Sequence, residues 1–291
     1  MRNTIGENDT EALDRLLEKV QRDTGHDFRD YKRGTITRRL ERRLHAAGAK
    51  TYLEYMQFLE AHPGEYQRLT DYLTITVSSF FRSPGAFQQV AELVLPEVAS
   101  NKRNRGEQSL KIWSTACAQG EEPYSIAILL TECPGNKPED LDISIYATDV
   151  NRQALARAKA GIYSPQEVEH LPRAILESYF TRSDGGYIVN NDIRQMVSFS
   201  YFDLVSTATP PLVNLDLIFC CNILIYLQKQ QQERVLNMLC DSLNAPGYLI
   251  LGEVETPTSS LNAKLACLDI KAKIYKKNAR GCLRCLKKEL Y

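Results

Sequence analysis

The sequence Leu110-Lys-Ile-Trp-Ser-Thr-Ala-Cys-Ala-Gln-Gly-Glu-Glu-Pro-Tyr124 joins an apolar strand-like run to a run of small residues and then to a helix-like run. Small residues after a strand let the backbone approach a ligand closely, and proline suits the first turn of a helix. The stretch therefore predicts the first strand and the first crossover helix of an α/β domain.

The same alternation of short apolar runs and helix-like runs continues further along the chain. It predicts the α/β class, with a doubly wound, mostly parallel sheet that has helices on both faces. The candidate strands are 110–115, 143–148, 196–201, 215–220, 248–252 and 270–275, and the candidate helices are 124–132, 152–159 and 230–243.

Apolar side chains upstream of this pattern recur at helical spacing, as in Leu13, Leu16, Leu17 and Val20. We therefore expect an N-terminal all-helical domain over 1–75. A linker over 76–90, which would contribute to the ligand site, and an α/β domain over 91–291 follow.

One predicted helix of the N-terminal domain carries a basic ridge. Arg38 and Arg42 lie opposite its apolar stripe, and Arg39 and Arg43 flank that stripe. The ridge is either a solvated face or a docking surface for an acidic helical partner.

One insertion breaks the alternation, because residues 179–189 form two short strand-like runs around Asp184-Gly-Gly186. Such glycines are typical of a hairpin turn, so we expect a small antiparallel β-subdomain at about 178–200, on the edge of the sheet. It is either a surface loop without a role or an exposed strand edge that captures an extended peptide.

Composition narrows the class of protein. The 291 residues are 43% hydrophobic, which suits a packed core, and 36 basic residues balance 36 acidic ones, so no net charge favours nucleic acid or anionic lipid. We find no apolar run that could span a bilayer, and the polar first residues do not resemble a secretory signal. We expect a cytoplasmic monomer that neither binds nucleic acid nor inserts into membranes.

The eight cysteines are expected to be reduced thiols, because most stand in apolar runs. Cys282 and Cys285 form a C-x-x-C pair that lacks a second ligand pair at the spacing of a zinc site. We expect no metal.

Polar side chains follow the candidate strands at their carboxyl ends, where a doubly wound sheet binds its ligand. They are Glu121, Asp149, Asp203 and Asn222. Such acceptors suit ribose hydroxyls, an adenine amine and a positive charge, whereas the carboxylates would repel the pyrophosphate of NAD. S-adenosylmethionine fits the set, although each residue taken singly could be a solvated strand-end group.

Four sequence blocks stand in order along the chain: Thr76-Val-Ser-Ser-Phe-Phe-Arg82, the run from Trp113 to Tyr124, Ala147-Thr-Asp149 with Ala160-Gly-Ile-Tyr163, and Phe219-Cys-Cys-Asn-Ile-Leu-Ile-Tyr226. Together they resemble the chemotaxis receptor methyltransferases of the CheR type. The resemblance implies a Rossmann-like, class I S-adenosylmethionine methyltransferase that esterifies glutamates of chemoreceptor helices and releases S-adenosylhomocysteine. It also implies a receptor C-terminal peptide as a possible ligand of the β-subdomain.

The resemblance assigns roles to single residues. Arg82 and Tyr226 would act in catalysis, Arg82 on the methionine carboxylate and Tyr226 beside the reactive methyl group. The alternatives are a salt bridge between domains for Arg82 and a core position for Tyr226. The cofactor contacts would be Thr76, Ser78, Arg82, Ala116, Glu121, Asp149, Asp203, Leu204, Cys221 and Asn222, and the receptor contacts would be Arg38, Arg39, Arg42 and Arg43.

The chain departs from the family pattern at three places. Thr76 stands where asparagine is usual, and Cys221 stands where arginine is usual. The run Gly252-Glu-Val-Glu255 lacks the histidine and serine typical of the family. A cysteine at position 221 lacks the charge and the paired N–H donors of an arginine, so binding or catalysis could be altered. The rival interpretation is therefore a binding module that keeps the cofactor site but has lost methyl transfer.

Overall fold

The computed structural model describes residues 7–133, 141–206 and 209–278. Cys282 and Cys285 lie outside the described residues. The described chain divides into two compact units, one of residues 7–75, 205–206 and 226–231, and one of residues 76–133, 141–204, 209–225 and 232–278.

The first unit is helical. Its helices are α1 (Glu7–Thr24), α2 (Arg33–Ala46), α3 (Tyr52–Ala61) and α4 (Gly64–Leu73). The apolar stripe of α1 is buried, with Leu16, Leu17 and Val20 fully so, and α1 packs against α3 and α4 while α2 packs against α4. Burial of such side chains is worth about 1.5–3 kcal/mol each, so this stripe holds the helices together.

The second unit is built on strands. They are β1 (Ser109–Thr115), β2 (Asp142–Asp149), β3 (Ile162–Tyr163), β4 (Phe180–Ser183), β5 (Gly186–Val189), β6 (Val197–Tyr201), β7 (Leu215–Cys220), β8 (Leu243–Leu251), β9 (Leu265–Asp269) and β10 (Ile274–Lys277). Seven of them form one sheet in the order β6-β2-β1-β7-β8-β10-β9, in which the first five are parallel. The doubly wound, mostly parallel sheet is confirmed.

Helices connect the strands. They are α5 (Pro84–Gln89), which runs through a π-helical turn (Val90–Val94) into α6 (Leu95–Arg105), then α7 (Glu121–Glu132), α8 (Arg152–Ala160), α9 (Pro165–Val168), α10 (Arg173–Tyr179), α11 (Asn191–Gln195) and α12 (Lys229–Ser242). Two short 3₁₀ helices lie at Leu224–Tyr226 and Ser259–Leu261. Over the described ranges, no helix combines the length and the apolar character that a bilayer crossing requires.

The predicted hairpin forms, but in a sheet of its own. Strands β3, β5 and β4 make an antiparallel three-stranded sheet, with β5 in the middle. The prediction that it lies on the edge of the main sheet is therefore wrong. Residues 197–200, assigned above to the subdomain, belong to β6 of the main sheet, because Val197 to Tyr201 pair in parallel with β2.

The predicted strand at 270–275 is also corrected. The structure places a turn at 270–273, between the antiparallel strands β9 and β10. The Asp269 carboxylate accepts hydrogen bonds from the backbone N–H groups of Lys271 and Ala272, at 2.7 and 2.8 Å. A side chain that satisfies the turn amides in this way favours a turn over an extended strand.

The order of the strands reverses at β1. This strand pairs with β2 on one side and with β7 on the other. Ser114 of β1 lies opposite Ala147 of β2 and Phe219 of β7. Ligands of open α/β sheets bind at such a reversal, beyond the carboxyl ends of the strands. The candidate site is therefore fixed by the ends of β1, β2 and β7.

Candidate active site

The loop that follows β1 is held in an unusual backbone conformation. Ala116, Ala118 and Gly120 all have positive φ, of 50°, 50° and 97°. A residue outside the loop helps to hold this conformation, because the Tyr163 hydroxyl donates a hydrogen bond to the Gln119 carbonyl at 2.7 Å. A Cβ on Gly120 would lie 2.9 Å from the Ala158 Cβ, so only glycine fits there. The cost of such conformations is typical of ligand-binding loops.

Asp149, at the end of β2, also helps to hold this loop. Its two carboxylate oxygens accept from the backbone N–H groups of Ala118 and Asn151, both at 2.8 Å. The residue is buried, and burial raises the pKa of its carboxyl while the backbone hydrogen bonds oppose that rise. A carboxylate has about four acceptor sites, so Asp149 keeps acceptor capacity for a ligand hydroxyl.

Glu121 begins α7 and is 3% exposed. Its Oε2 has no hydrogen-bond partner among the described residues, and neither does Oε1 of Gln119, two residues earlier. Burial raises the pKa of the Glu121 carboxyl to about 7. Buried acceptors without partners are costly, and a ligand ammonium group would satisfy them. These atoms therefore suit a ligand group that donates hydrogen bonds and carries positive charge.

Asn222 follows β7 and also has a positive φ, of 60°. Glu255 fixes the backbone here, because its buried carboxylate accepts from the N–H groups of Asn222 at 2.9 Å, Gly252 at 2.8 Å and Ile225 at 3.2 Å. One carboxylate thus ties the end of β7 to the end of β8.

Glu122 lies between the ends of β1 and β7. Its carboxylate accepts from the Ser114 hydroxyl at 2.7 Å and contacts the Cys221 thiol. Burial raises the pKa of the Glu122 carboxyl to about 7, and the negative charge of Glu255 adds to this rise.

The segment before α5 is anchored to the second unit by aromatic contacts. Phe80 is buried, with its ring edge-on to Tyr163 and Phe180 at centroid distances of 4.8 and 5.3 Å. The backbone N–H of Phe81 donates to the Ser125 hydroxyl of α7 at 2.9 Å. Arg82 is exposed and donates to the Val77 carbonyl at 3.0 Å, and its positive charge lowers the pKa of Glu122.

The structure brings most of the predicted cofactor contacts to one end of the sheet. Ala116, Glu121, Asp149, Asp203, Leu204, Cys221 and Asn222 follow the ends of β1, β2, β6 and β7, and Thr76, Ser78 and Arg82 belong to the same unit. Their individual roles remain predictions. Tyr226 lies in the first unit, where its carbonyl accepts from the backbone N–H of Lys32 at 2.7 Å.

The four ridge arginines of α2 differ in environment. Arg38 and Arg42 are exposed. Arg39 donates to the Tyr72 carbonyl and lies over the Tyr72 ring, 4.7 Å from its centroid. Arg43 forms a bidentate pair with the buried Glu65, with Nη2 at 2.6 Å. Two of the four guanidinium groups are thus already engaged within the first unit.

Sequence reasoning missed Glu122 and Glu255 as parts of this site. The only sequence signal for Glu122 is its position beside Glu121 at the start of α7, next to the end of β1. Nothing in the sequence indicated that Glu255 would reach back to Asn222.

Family profiles match both parts of the chain. The profile described as "CheR methyltransferase, SAM binding domain" matches residues 76–274, and "CheR methyltransferase, all-alpha domain" matches residues 11–74. The SAM binding domain therefore contains every residue of the crevice described above.

Individual relatives agree with the profiles. A chemotaxis protein methyltransferase of Borreliella burgdorferi is 30% identical over 92% of this chain and 94% of its own length. Chemotaxis protein methyltransferase 2 of Vibrio cholerae is 35% identical over 80% of this chain and 81% of its own. An uncharacterized 104.1 kDa protein of Rhodobacter capsulatus is 34% identical over 84% of this chain, which spans 25% of that protein.

Proposed function

The chain belongs to the CheR methyltransferase family, and we propose that it transfers the methyl group of S-adenosylmethionine to glutamate side chains of chemoreceptors, forming methyl esters. The Rossmann-like sheet and the family's SAM binding domain carry the cofactor assignment. The specific acceptor, a glutamate carboxylate, is the proposed part.

The observation that carries the proposal is the set of buried acceptors at the reversal of strand order. Glu121 Oε2 and Gln119 Oε1 both lack a partner among the described residues, and both residues follow the end of β1. Such a set suits a ligand that brings donors and positive charge, and it does not suit a phosphate.

The roles of single residues follow from this arrangement. Glu121 would hold the α-ammonium group of the cofactor, and Asp149 would accept from the ribose hydroxyls with its free lone pairs. Asp203 and Leu204 would border the adenine, and Arg82, on the exposed side of the crevice, would bind the methionine carboxylate. Thr76 and Ser78 would contact the cofactor from the same segment as Arg82.

Alignment is the main chemical task of these residues. When bound, S-adenosylmethionine supplies an electrophilic methyl group on a positively charged sulfur. A glutamate acceptor has a reference pKa of about 4.3, so it is already an anion at neutral pH and needs no general base. Holding it in line with the methyl group can be worth about 7 kcal/mol or more, and Tyr226 and Asn222 are the candidates for this positioning.

The protein substrate is proposed to dock on the first unit. Arg38 and Arg42 present free positive charge on α2, which suits an acidic receptor helix, while Arg39 and Arg43 support the same surface from their engaged positions. A receptor tail that adds a strand to the three-stranded sheet is a second proposed contact, because β3 and β4 are its edges. We further propose a cytoplasmic, monomeric enzyme.

A transfer assay tests the proposal against the rival of a binding module. The full chain is incubated with methyl-labelled S-adenosylmethionine and a chemoreceptor cytoplasmic fragment. We expect label on the receptor that mild alkali releases as methanol, the behaviour of a methyl ester. A receptor with its acceptor glutamates changed to alanine is the control. Calorimetric binding of the cofactor without any transfer of label would favour the module.

A further inference from the structure

A second carboxylate of the crevice, Glu122, has no part in the scheme above. It extends from the first turn of α7 to the Ser114 hydroxyl, at 2.7 Å, and to the Cys221 thiol. Ser114 lies in β1 and Cys221 follows β7, and these strands flank the reversal of strand order. Glu122 and Cys221 are both partly exposed, so the Glu122 carboxyl group lines the crevice beside Cys221, the residue before Asn222.

The groups around Glu122 give it little compensating charge. Arg82 approaches from the segment before α5 with a positive charge, and Glu255 opposes it with a negative one. The thiols of Cys117, Cys220 and Cys221 remain neutral, because burial raises the pKa of each. The chain thus places the uncharged thiol of Cys221 against the Glu122 carboxyl group.

We propose that Glu122, held between the Ser114 hydroxyl and the Cys221 thiol, is a positioning residue whose negative charge selects the positively charged cofactor over its neutral product. The inference rests on the proposed function, since it needs both ligands to occupy this crevice. S-adenosylmethionine carries a positive sulfur that S-adenosylhomocysteine lacks, and a charge in a partly desolvated site acts on that difference.

The direction of the pH effect follows. The Glu122 pKa is about 7, so the side chain is neutral in mild acid and ionised in mild alkali. The affinity for the cofactor relative to the product therefore rises as the pH increases. The two ligands have the same amino acid and nucleoside parts. The effect of pH on groups that bind these parts is therefore the same for both ligands, and it cancels in the ratio of the two affinities.

Calorimetry on the full chain tests the inference, with S-adenosylmethionine and S-adenosylhomocysteine each titrated at about pH 6 and about pH 8.5. We expect the ratio of the two affinities to rise about fivefold or more across this range. In Glu122→Gln, which keeps the shape and the hydrogen bond from Ser114, the ratio should stay constant. In Cys221→Arg it should also stay constant, because the guanidinium would pair with the carboxylate at both pH values.

Glu121→Gln is the matched control, because it removes the neighbouring carboxyl group that has a similar pKa. It should weaken both ligands and leave the pH dependence of their ratio intact. A ratio that is constant in the unmodified chain, or that rises equally in Glu122→Gln, overturns the inference while the methyltransferase assignment stands. Failure to bind either ligand overturns both.

Discussion

The carboxylate of Asp149 accepts a hydrogen bond from the backbone N–H of Ala118 at 2.8 Å, and so joins the end of β2 to the loop after β1. Ala118 has a φ of 50°, a conformation that costs an L-residue about 1–2 kcal/mol. The contact therefore compensates for backbone strain at the position where a ligand must approach. Asp149 builds the crevice as well as being available to a ribose hydroxyl.

Replacing this carboxylate should damage both properties. In Asp149→Asn, the amide oxygen can accept from the backbone N–H of Ala118 or from that of Asn151, but not from both. The amide NH₂ group then faces the other N–H, and two donors cannot form a hydrogen bond. We expect a loss of about 1–3 kcal/mol in the free energy of unfolding, measured by urea denaturation. We also expect the affinity for S-adenosylhomocysteine to fall at least about tenfold by calorimetry, a loss of about 1.4 kcal/mol. Unchanged stability and affinity would mean that the contact does not hold the loop.

The binding of S-adenosylhomocysteine should depend on pH through Glu121. The pKa of this carboxyl is about 7, and only its ionised form can balance the ligand's α-ammonium group. The affinity should therefore be highest above pH 7 and decline as the pH falls, by up to about tenfold per unit. Glu121→Gln should bind weakly with a flatter profile. A profile in the unmodified chain as flat as that of the variant would contradict the role of Glu121.

The sequence predicts an element of this fold well where the residues of that element alone determine it, and poorly where a contact with another side chain determines it. The sequence predicts the strand at 215–220 with its observed bounds, because its side chains are all buried and Asp216 is the one charged residue in an otherwise apolar run. The turn at 270–273 was missed, because it depends on the Asp269 side chain folding back onto two amides. A run of apolar and basic residues gives no sign of that contact.

The same contrast, between local sequence patterns and contacts between distant residues, holds for the candidate site. The sequence could predict that Glu121, Asp149 and Asn222 stand at or after the ends of parallel strands, which meet at one edge of the sheet, and their roles in binding stay predictions. Glu255 was not found, because it reaches Asn222 across 33 residues of sequence. Helical spacing placed Arg39 and Arg43 correctly beside the apolar stripe, but it could not show their partners, Tyr72 and Glu65.

Arg43 should contribute to stability, whereas Arg42 should not. Arg43 pairs with Glu65, which is 3% exposed and also accepts from the Tyr55 hydroxyl at 2.9 Å. Arg43→Met removes the bidentate partner of that buried carboxylate and leaves it only the Tyr55 hydroxyl and the exposed Arg68 at 4.0 Å, so we expect a loss of about 3 kcal/mol in chemical denaturation. Arg42→Met, on the exposed face, should change stability by less than about 0.5 kcal/mol.

The pH dependence of this loss gives a further check. The Arg43 guanidinium and the Tyr55 hydroxyl lower the pKa of Glu65 below its usual value, against the opposing effect of burial. The stabilisation by the pair is therefore present above the unfolded-state pKa, about 4.3, and disappears as the pH falls through the lower folded-state value. The unmodified chain and Arg43→Met should differ most near neutral pH. A difference that persists unchanged in acid would assign the effect to packing.

Docking of the receptor should depend on the two free charges of α2. Each exposed ion pair is worth about 0.2–1 kcal/mol, so one substitution is a weak test. Reversal of both charges, in Arg38→Glu with Arg42→Glu, converts attraction to an acidic helix into repulsion. We expect methylation of a receptor fragment to fall at least about tenfold at low salt, with the affinity for S-adenosylhomocysteine unchanged.

Arg15→Glu with Lys50→Glu is the control for this prediction. It gives the same change in net charge at other exposed positions of the first unit, and it should leave the methylation rate near that of the unmodified chain. Equal losses in the two double variants would show that total charge matters and that α2 is not the docking surface.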